Sequence, residues 1–485
     1  MDDPPIELQE RPRNRAFMKK VLIVVALLFV NLLNYMDRFT IAGVLSQLQD
    51  YFTMNDKEAG MLQTVFIIFY MIGAPICGYL GDRYNRKMIM VTGLSIWIIA
   101  VFSSSFVTKN HFWVFLFLRG IVGIGEASYS TVAPTLIADI FAGADRSTVL
   151  MIFYFAVPVG SGLGYIGGAY VSLWFGGWQW GVRFTPILGV LCLILLIVFI
   201  EEPTRGASEH AHVESSSIRQ DLAYLWSIKT YRLNTVAFTC VVFAVGALSW
   251  WAPTLITHAY AIQHGEPDVP PSEKANISLI FGLITCFAGI VGVVVGSTVA
   301  QAWREGRWGL KATHTADPIV CAVGSLLAMP CLYTCLITAA HHINTAWVLM
   351  FIGVTCMCLN WSVNMDMLMY TVVANRRATA TAIQTLISHL FGDASSPYVI
   401  GNISDMLRGD ATTQIDAFFA LQKALFLTAF VLIGSGAFYL WASFHVVEDH
   451  CNAKRAMGAT DEWVDEEADD VETLIHNVRR SSTED

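Results

Sequence analysis

Long apolar runs follow one another along the whole chain, separated by short polar stretches. A run of about 20 apolar residues is long enough for a helix to cross a bilayer. The pattern predicts helices at 18–46, 58–81, 87–107, 112–140, 146–174, 182–200, 231–260, 275–302, 317–340, 345–371, 378–405 and 414–446. The longest polar interruption runs from Glu201 to about Thr230, with Glu201-Glu202-Pro203 and a serine run. It divides the chain into a polar tail 1–17, a six-helix half 18–200, a linker 201–230, a second six-helix half 231–446 and a tail 447–485. Two six-helix repeats are a pattern of secondary transporters. The predicted fold class is therefore an all-α membrane protein of 12 transmembrane helices in two pseudo-symmetric halves.

Composition supports lipid as the solvent. Of 485 residues, 55% are hydrophobic and only 14% charged, where a soluble domain carries nearer 25% charge. The net charge of -9 is concentrated: Glu448–Asp485 alone carries -8, with few large apolar residues, which predicts a disordered tail. The acidity therefore says little about a substrate. The ten cysteines form no CxxC pair and lie mostly in apolar runs, as small core residues do. The first apolar run starts after Lys19-Lys20 and reads as a retained signal-anchor helix. No HExxH or GxSxG motif is present, so the chain reads as no enzyme. A monomer is expected, with no metal, no cofactor beyond a coupling proton and no nucleic-acid partner.

Lysine and arginine set the orientation. With both ends cytoplasmic, the tails and even-numbered loops hold 22 bases and the opposite side six. The two left over, Arg38 and Arg119, fall inside membrane helices.

A charge at the bilayer centre costs roughly 2.5–3.5 kcal/mol on insertion scales, so such residues mark function. Helix one carries Asp37 and Arg38; helix four carries Arg119 and Glu126, with Ser130 continuing the same face. Arg119 and Glu126 are seven apart, about 10 Å along the axis, too far for a direct pair. Asp37, Arg38, water or substrate is expected between them. Glycines 120, 123 and 125 would let helices pack closely there. Burial favours a protonated carboxylate and arginine a charged one. Glu126 is the first candidate for proton coupling and Asp37 the second, while a permanent ion-pair network is the alternative. His389 and Asp393, four apart, share a helix face, as do Asn360 and Asn364, and both pairs are candidates for a second-half site. Gly160-x-Gly-x-Gly164-x-x-Gly-Gly168 predicts close helix packing. Phe66, Tyr70, Trp250 and Trp251 are candidates for lining an apolar path.

Gly78-Tyr-Leu-Gly-Asp82-Arg83-Tyr-Asn85-Arg86-Lys87 resembles the G-x-L-x-D-R-x-G-R-K loop of the major facilitator superfamily. Asn85 replaces a glycine and is expected to keep a left-handed turn. The resemblance implies that Asp82 faces the start of helix eleven, behind Arg376 and Arg377, when the cytoplasmic gate closes. Three further stretches resemble the Spinster family of lipid transporters: Asn34-Tyr-Met-Asp-Arg38-Phe-Thr, Arg119 through Asp139, and His389-Leu-Phe-Gly-Asp393-Ala-Ser-Ser-Pro397-Tyr-Val-Ile-Gly401. That resemblance implies movement of single-chain lipids (lysophospholipids or sphingosine phosphates), proton coupling in some members, and roles in coupling and headgroup recognition for Asp37, Arg38, Arg119 and Glu126. Asp470-Val-Glu-Thr-Leu474-Ile475 matches an acidic dileucine sorting signal read by clathrin adaptors, which favours lysosome or late endosome over the cell surface. The alternatives are a cell-surface sphingosine-1-phosphate exporter, an organic-anion/proton symporter, and a receptor or sensor without flux.

Overall fold

The computed structural model describes residues 10–141, 143–200, 218–265, 269–309, 312–373, 376–411 and 413–456. The predicted sorting signal at 470–475, the tail 1–9 and most of the linker lie outside them, as does the side chain of Asp82.

The described residues form helices almost throughout. In chain order they are α1 (Glu10–Gly43), α2 (Leu45–Phe52), α3 (Asp56–Arg83), α4 (Arg86–Ser104), α5 (Phe112–Ile140), α6 (Gly143–Phe175) and α7 (Trp178–Phe199). There follow α8 (Ile218–Ser227), α9 (Lys229–His264), α10 (Pro271–Arg304), α11 (Ala316–Thr338), α12 (Ile343–Cys358) and α13 (Asn360–Thr371). The last are α14 (Arg377–Ser388), α15 (Ser396–Arg408), α16 (Gln414–Ser443) and α17 (Val446–Ala456). Eleven spans among the described residues are long and apolar enough to cross a membrane, with α12 and α13 forming one of them. The remaining predicted helix, 378–405, is built from α14, a five-residue π-helical turn at His389–Asp393, and α15. Periodicity alone does not reveal such a widened turn, which recurs at functional sites.

The chain forms two compact units. One comprises Met1–Ala211 with Val269–Cys286; the other comprises His212–Asp268 with Phe287–Asp485. The first part of α10 therefore belongs with the first unit, although its place in the chain assigned it to the second half. Small residues explain this. A Cβ on Gly162 would lie 2.6 Å from the Gly282 carbonyl oxygen, and one on Gly282 equally close to that of Gly162. Nearby, the Tyr165 and Phe281 rings meet edge-on at 4.9 Å.

Within the first unit, α1 lies along α6. Cβ atoms at Gly160, Gly164 and Gly168 would approach the carbonyl oxygens of Leu32, Met36 and Thr40 to 2.6, 2.4 and 2.9 Å. The i, i+4 glycine stripe thus removes the side chains that would hold the two backbones apart. In the second unit, α9 packs on α16 and on the π turn, where a Cβ at Gly246 would lie 2.5 Å from the Asp393 Cα.

Two boundaries differ from the polar pattern. The predicted linker contains α8, whose Asp221 pairs with Arg376 at 2.9 Å. The predicted disordered tail from 447 begins as α17. Asp449 of that helix accepts a 2.7 Å hydrogen bond from the backbone N–H of Thr230, supplying a partner to the start of α9. His450 Nδ1 donates to the Tyr370 carbonyl at 3.0 Å, and its ring lies tilted against that of His314, centroids 4.1 Å apart. Anchored aromatic and capping contacts outweigh the polarity of 446–456.

Asn85 is not left-handed. Its φ and ψ of -62° and 114° are extended, and its side chain accepts from the Met88 N–H at 3.0 Å. The residue thus works as the N-cap of α4, a role for which asparagine is among the best. Around it, Arg86 Nε donates to the Gly81 carbonyl at 3.4 Å and Lys87 Nζ to that of Ile197 at 2.6 Å. Arg83 lies over the Tyr79 ring at 3.7 Å.

Candidate transport site

The four intramembrane charges meet inside the first unit. Arg119 and Glu126 do not pair with each other. Arg119 Nη1 lies 3.6 Å from Asp37 Oδ2, and Arg38 Nη2 donates to Glu126 Oε2 at 3.2 Å. Asp37 and Arg38 are adjacent on α1, so their side chains diverge by about 100° around the helix. That divergence lets one α1 turn serve both ends of the seven-residue interval on α5. Asp37, Arg119 and Glu126 have side chains 1% exposed, while Arg38 is 12% exposed.

The two pairs differ in their support. Asp37 also accepts from Thr185 Oγ1 at 2.6 Å and Trp97 Nε1 at 3.1 Å. Three donors on α4, α5 and α7 thus fix both of its oxygens. Glu126 has one described partner for Oε2 and none among the described residues for its buried Oε1. Asp37 thus has both oxygens engaged, although Arg119 keeps Nε and Nη2 without a hydrogen-bond partner among the described residues, and Glu126 keeps an unused acceptor beside a partly exposed guanidinium.

Phe66 separates the guanidinium groups. Its ring centroid lies 4.9 Å from Arg38 and 5.0 Å from Arg119, within cation–π range of both. Tyr35 and Tyr70 flank Arg38 at 5.1 and 5.3 Å. The Tyr70 hydroxyl hydrogen-bonds Ser130 Oγ at 2.8 Å, and Ser130 Oγ donates in turn to the Glu126 carbonyl at 3.0 Å. A Cβ at Gly123 would fall 2.3 Å from the Phe66 carbonyl oxygen, so α3 reaches this site only because α5 carries glycine there.

The other candidates lie in the second unit. His389 Nδ1 donates to Asp393 at 2.9 Å across the π turn. Asn364 exchanges amide hydrogen bonds with Gln384 at 3.1 and 3.4 Å, and its carbonyl accepts from Asn234 at 3.4 Å. Asn360 instead donates to the Met357 carbonyl at 3.0 Å, in the break between α12 and α13. Asn360 and Asn364 therefore do not act together. Trp250 and Trp251 are fully buried, and Trp251 Nε1 is held by the Pro397 carbonyl at 3.0 Å. Both lie on α9, whereas Phe66 and Tyr70 sit at the charges. Arg377 turns back onto the Val372 carbonyl at 3.1 Å. Sequence reasoning missed Trp97, Thr185, Tyr35, Asn234 and Gln384. Only the polar Thr185, Asn234 and Gln384 within apolar runs offered a signal.

Bundled membrane helices around buried, paired charges define a secondary transporter, and the comparisons agree. The Major Facilitator Superfamily model matches residues 27–397. Protein spinster homolog 1 of Bos taurus is 43% identical over 464 residues, covering 93% of this chain and 87% of that protein. The Homo sapiens homologue is 44% identical over 443 residues, covering 90% and 83%. A sphingosine-1-phosphate transporter of Xenopus tropicalis is 43% identical over 434 residues, covering 89% and 83%. The crystal structure of a bacterial homologue of the human lysosomal transporter Spinster, inward-facing and unoccupied, superposes with a TM-score of 0.77 at 19% identity, covering 89% of this chain and 98% of that one. The chain belongs to the Spinster family of the major facilitator superfamily, and is a multi-pass membrane transporter.

Proposed function

We propose that the protein moves a single-chain phospholipid, such as lysophosphatidylcholine or lysophosphatidylethanolamine, by proton-coupled alternating access out of the lysosome. The observation that carries this reading is the asymmetry of the two buried carboxylates. Both Asp37 oxygens are engaged by Thr185, Trp97 and Arg119, whereas Glu126 has an unused buried oxygen and a single contact to Arg38. Protonation of Glu126 frees the Arg38 guanidinium, whose planar fork suits a phosphate. Phosphate binding and proton binding at this pair then reinforce each other. Phe66, Tyr35 and Tyr70 supply an aromatic wall beside that headgroup niche.

Likeness to spinster homologues supports a lipid cargo, and the lysosomal description of the human transporter supports the compartment. The sphingosine-1-phosphate relative is equally similar in sequence, so a phosphorylated sphingoid base at the cell surface is the second reading. Purified protein in proteoliposomes under an imposed proton gradient tests both. Uptake of labelled lysophosphatidylcholine that collapses with a protonophore supports the first reading. Exclusive uptake of sphingosine-1-phosphate supports the second, and uptake of small carboxylates alone excludes both. Absence of flux for every substrate indicates a sensor.

A further inference from the structure

A cavity of about 360 Å³ opens in the first unit at the far end from the Gly78–Lys87 loop, where α4 ends and α6 turns into α7. It is lined by Tyr51, Ser105, Phe106, Gln179, Trp180 and Arg183, with the turn glycine Gly176 at its edge. Arg183 is held rigidly. Its Nε donates to Ser105 Oγ at 2.9 Å and Nη2 to the Ser105 carbonyl at 3.4 Å. Its guanidinium lies 4.5 Å from the Phe106 ring centroid and 5.0 Å from that of Trp180.

Serine and two rings orient the group without neutralising it. Among the described residues no carboxylate lines the cavity and none pairs with Arg183. A clamped, unneutralised guanidinium beside a polar cavity is chemistry suited to an anion with several acceptor oxygens. The surroundings say which anion. Trp174, Phe175, Phe106 and Trp180 are 69%, 61%, 59% and 40% exposed around the same turn. Aromatics gather at the level of lipid headgroups. This end also falls on the base-poor, non-cytoplasmic side by the lysine and arginine count, so the guanidinium is a rare cation there.

We infer that this cavity is a binding site for the phosphate of a membrane phospholipid in the non-cytoplasmic leaflet, separate from the transport site. The lipid phosphate takes the guanidinium edge not used by Ser105, Gln179 and Tyr51 add polar contacts, and the acyl chains lie along the exposed aromatics. Native mass spectrometry of the purified full chain in detergent tests this with dioleoylphosphatidylglycerol, dioleoylglycerol and inorganic phosphate. Wild type should hold its tightest phosphatidylglycerol at least fivefold more strongly than Arg183→Gln, with equal affinity for dioleoylglycerol and no retention of phosphate alone. Equal phosphatidylglycerol affinity for both proteins overturns the site, and competition by inorganic phosphate at comparable concentration overturns the lipid as its occupant. Because Arg183→Gln also loses the Ser105 contacts, a second measurement uses brominated phosphatidylglycerol. It should quench a saturable fraction of tryptophan fluorescence that Trp180→Phe reduces. The same saturable fraction in that variant contradicts the proposal.

Discussion

Asp37→Asn should be far more damaging to folding than Glu126→Gln, although both remove one buried carboxylate charge. Asp37 is met by Arg119, Trp97 and Thr185 at 3.6, 3.1 and 2.6 Å, all inside the first unit. The introduced amide keeps one oxygen for Thr185, but turns N–H donors toward Trp97 Nε1 or Arg119. Arg119 is then a buried charge without a counter-ion. Breaking a buried pair from one side typically costs about 3–5 kcal/mol. Arg38, by contrast, reaches partly exposed surroundings and retains a neutral acceptor after Glu126→Gln. The assay is equilibrium unfolding in mixed micelles, run as a double-mutant cycle with Arg119→Leu. Removing Arg119 together with the Asp37 charge leaves no unpaired buried ion, so the double variant should recover at least about 2 kcal/mol, within the usual range for contacting residues. If Asp37→Asn unfolds like wild type, or the double variant is as unstable as the sum of the singles, Asp37 is not the structural centre of the site.

Further outcomes follow from other contacts. Gln384→Leu leaves the buried Asn364 amide without its reciprocal partner and should cost about 1–3 kcal/mol of stability, read by the same unfolding assay; the paired Asn364→Leu/Gln384→Leu variant should be closer to wild type than either single. Gly164→Ala places a methyl group 2.4 Å from the Met36 carbonyl oxygen, and overpacking of this kind costs about 1–3 kcal/mol, whereas Gly434→Ala, with open space around it, should leave the unfolding midpoint unchanged. His314 lies in the loop before α11, where burial first, then His450, Arg304 and Lys454, push its pKa down from 6.5 to about 3. The unfolded chain therefore takes up a proton below about pH 6.5 that the fold refuses, and stability falls as pH drops from 6.5 toward 3. His314→Gln should flatten that part of the midpoint-against-pH curve; an unchanged slope would remove His314 as its cause.

Local pattern carried much of the architecture because a bilayer demands long apolar helices with satisfied backbones. Arg119 and Glu126 stood out by type, and their seven-residue spacing excluded a direct pair. Nothing local, however, told which neighbour of the Asp37–Arg38 dipeptide serves which partner, since that depends on the rotation of α1 against α5. The roles of Trp97 and Thr185 were hidden for the same reason: their donors matter only where α4 and α7 converge on Asp37. The π turn at His389–Asp393 hides within an ordinary apolar run, because one widened turn leaves the average periodicity nearly intact. Asn85 shows the converse. Its residue type was read as a glycine substitute, yet the capping geometry of α4 uses its side chain instead of a left-handed backbone.

The central claim is that Glu126 loads the proton that drives lysolipid movement. Its most direct test is lysophosphatidylcholine flux in proteoliposomes at two lumenal pH values, comparing wild type with Glu126→Gln. The account predicts that wild-type flux rises with the imposed proton gradient. The folded Glu126→Gln protein should show little flux and no dependence on that gradient. Flux in Glu126→Gln that keeps the wild-type pH dependence would contradict it.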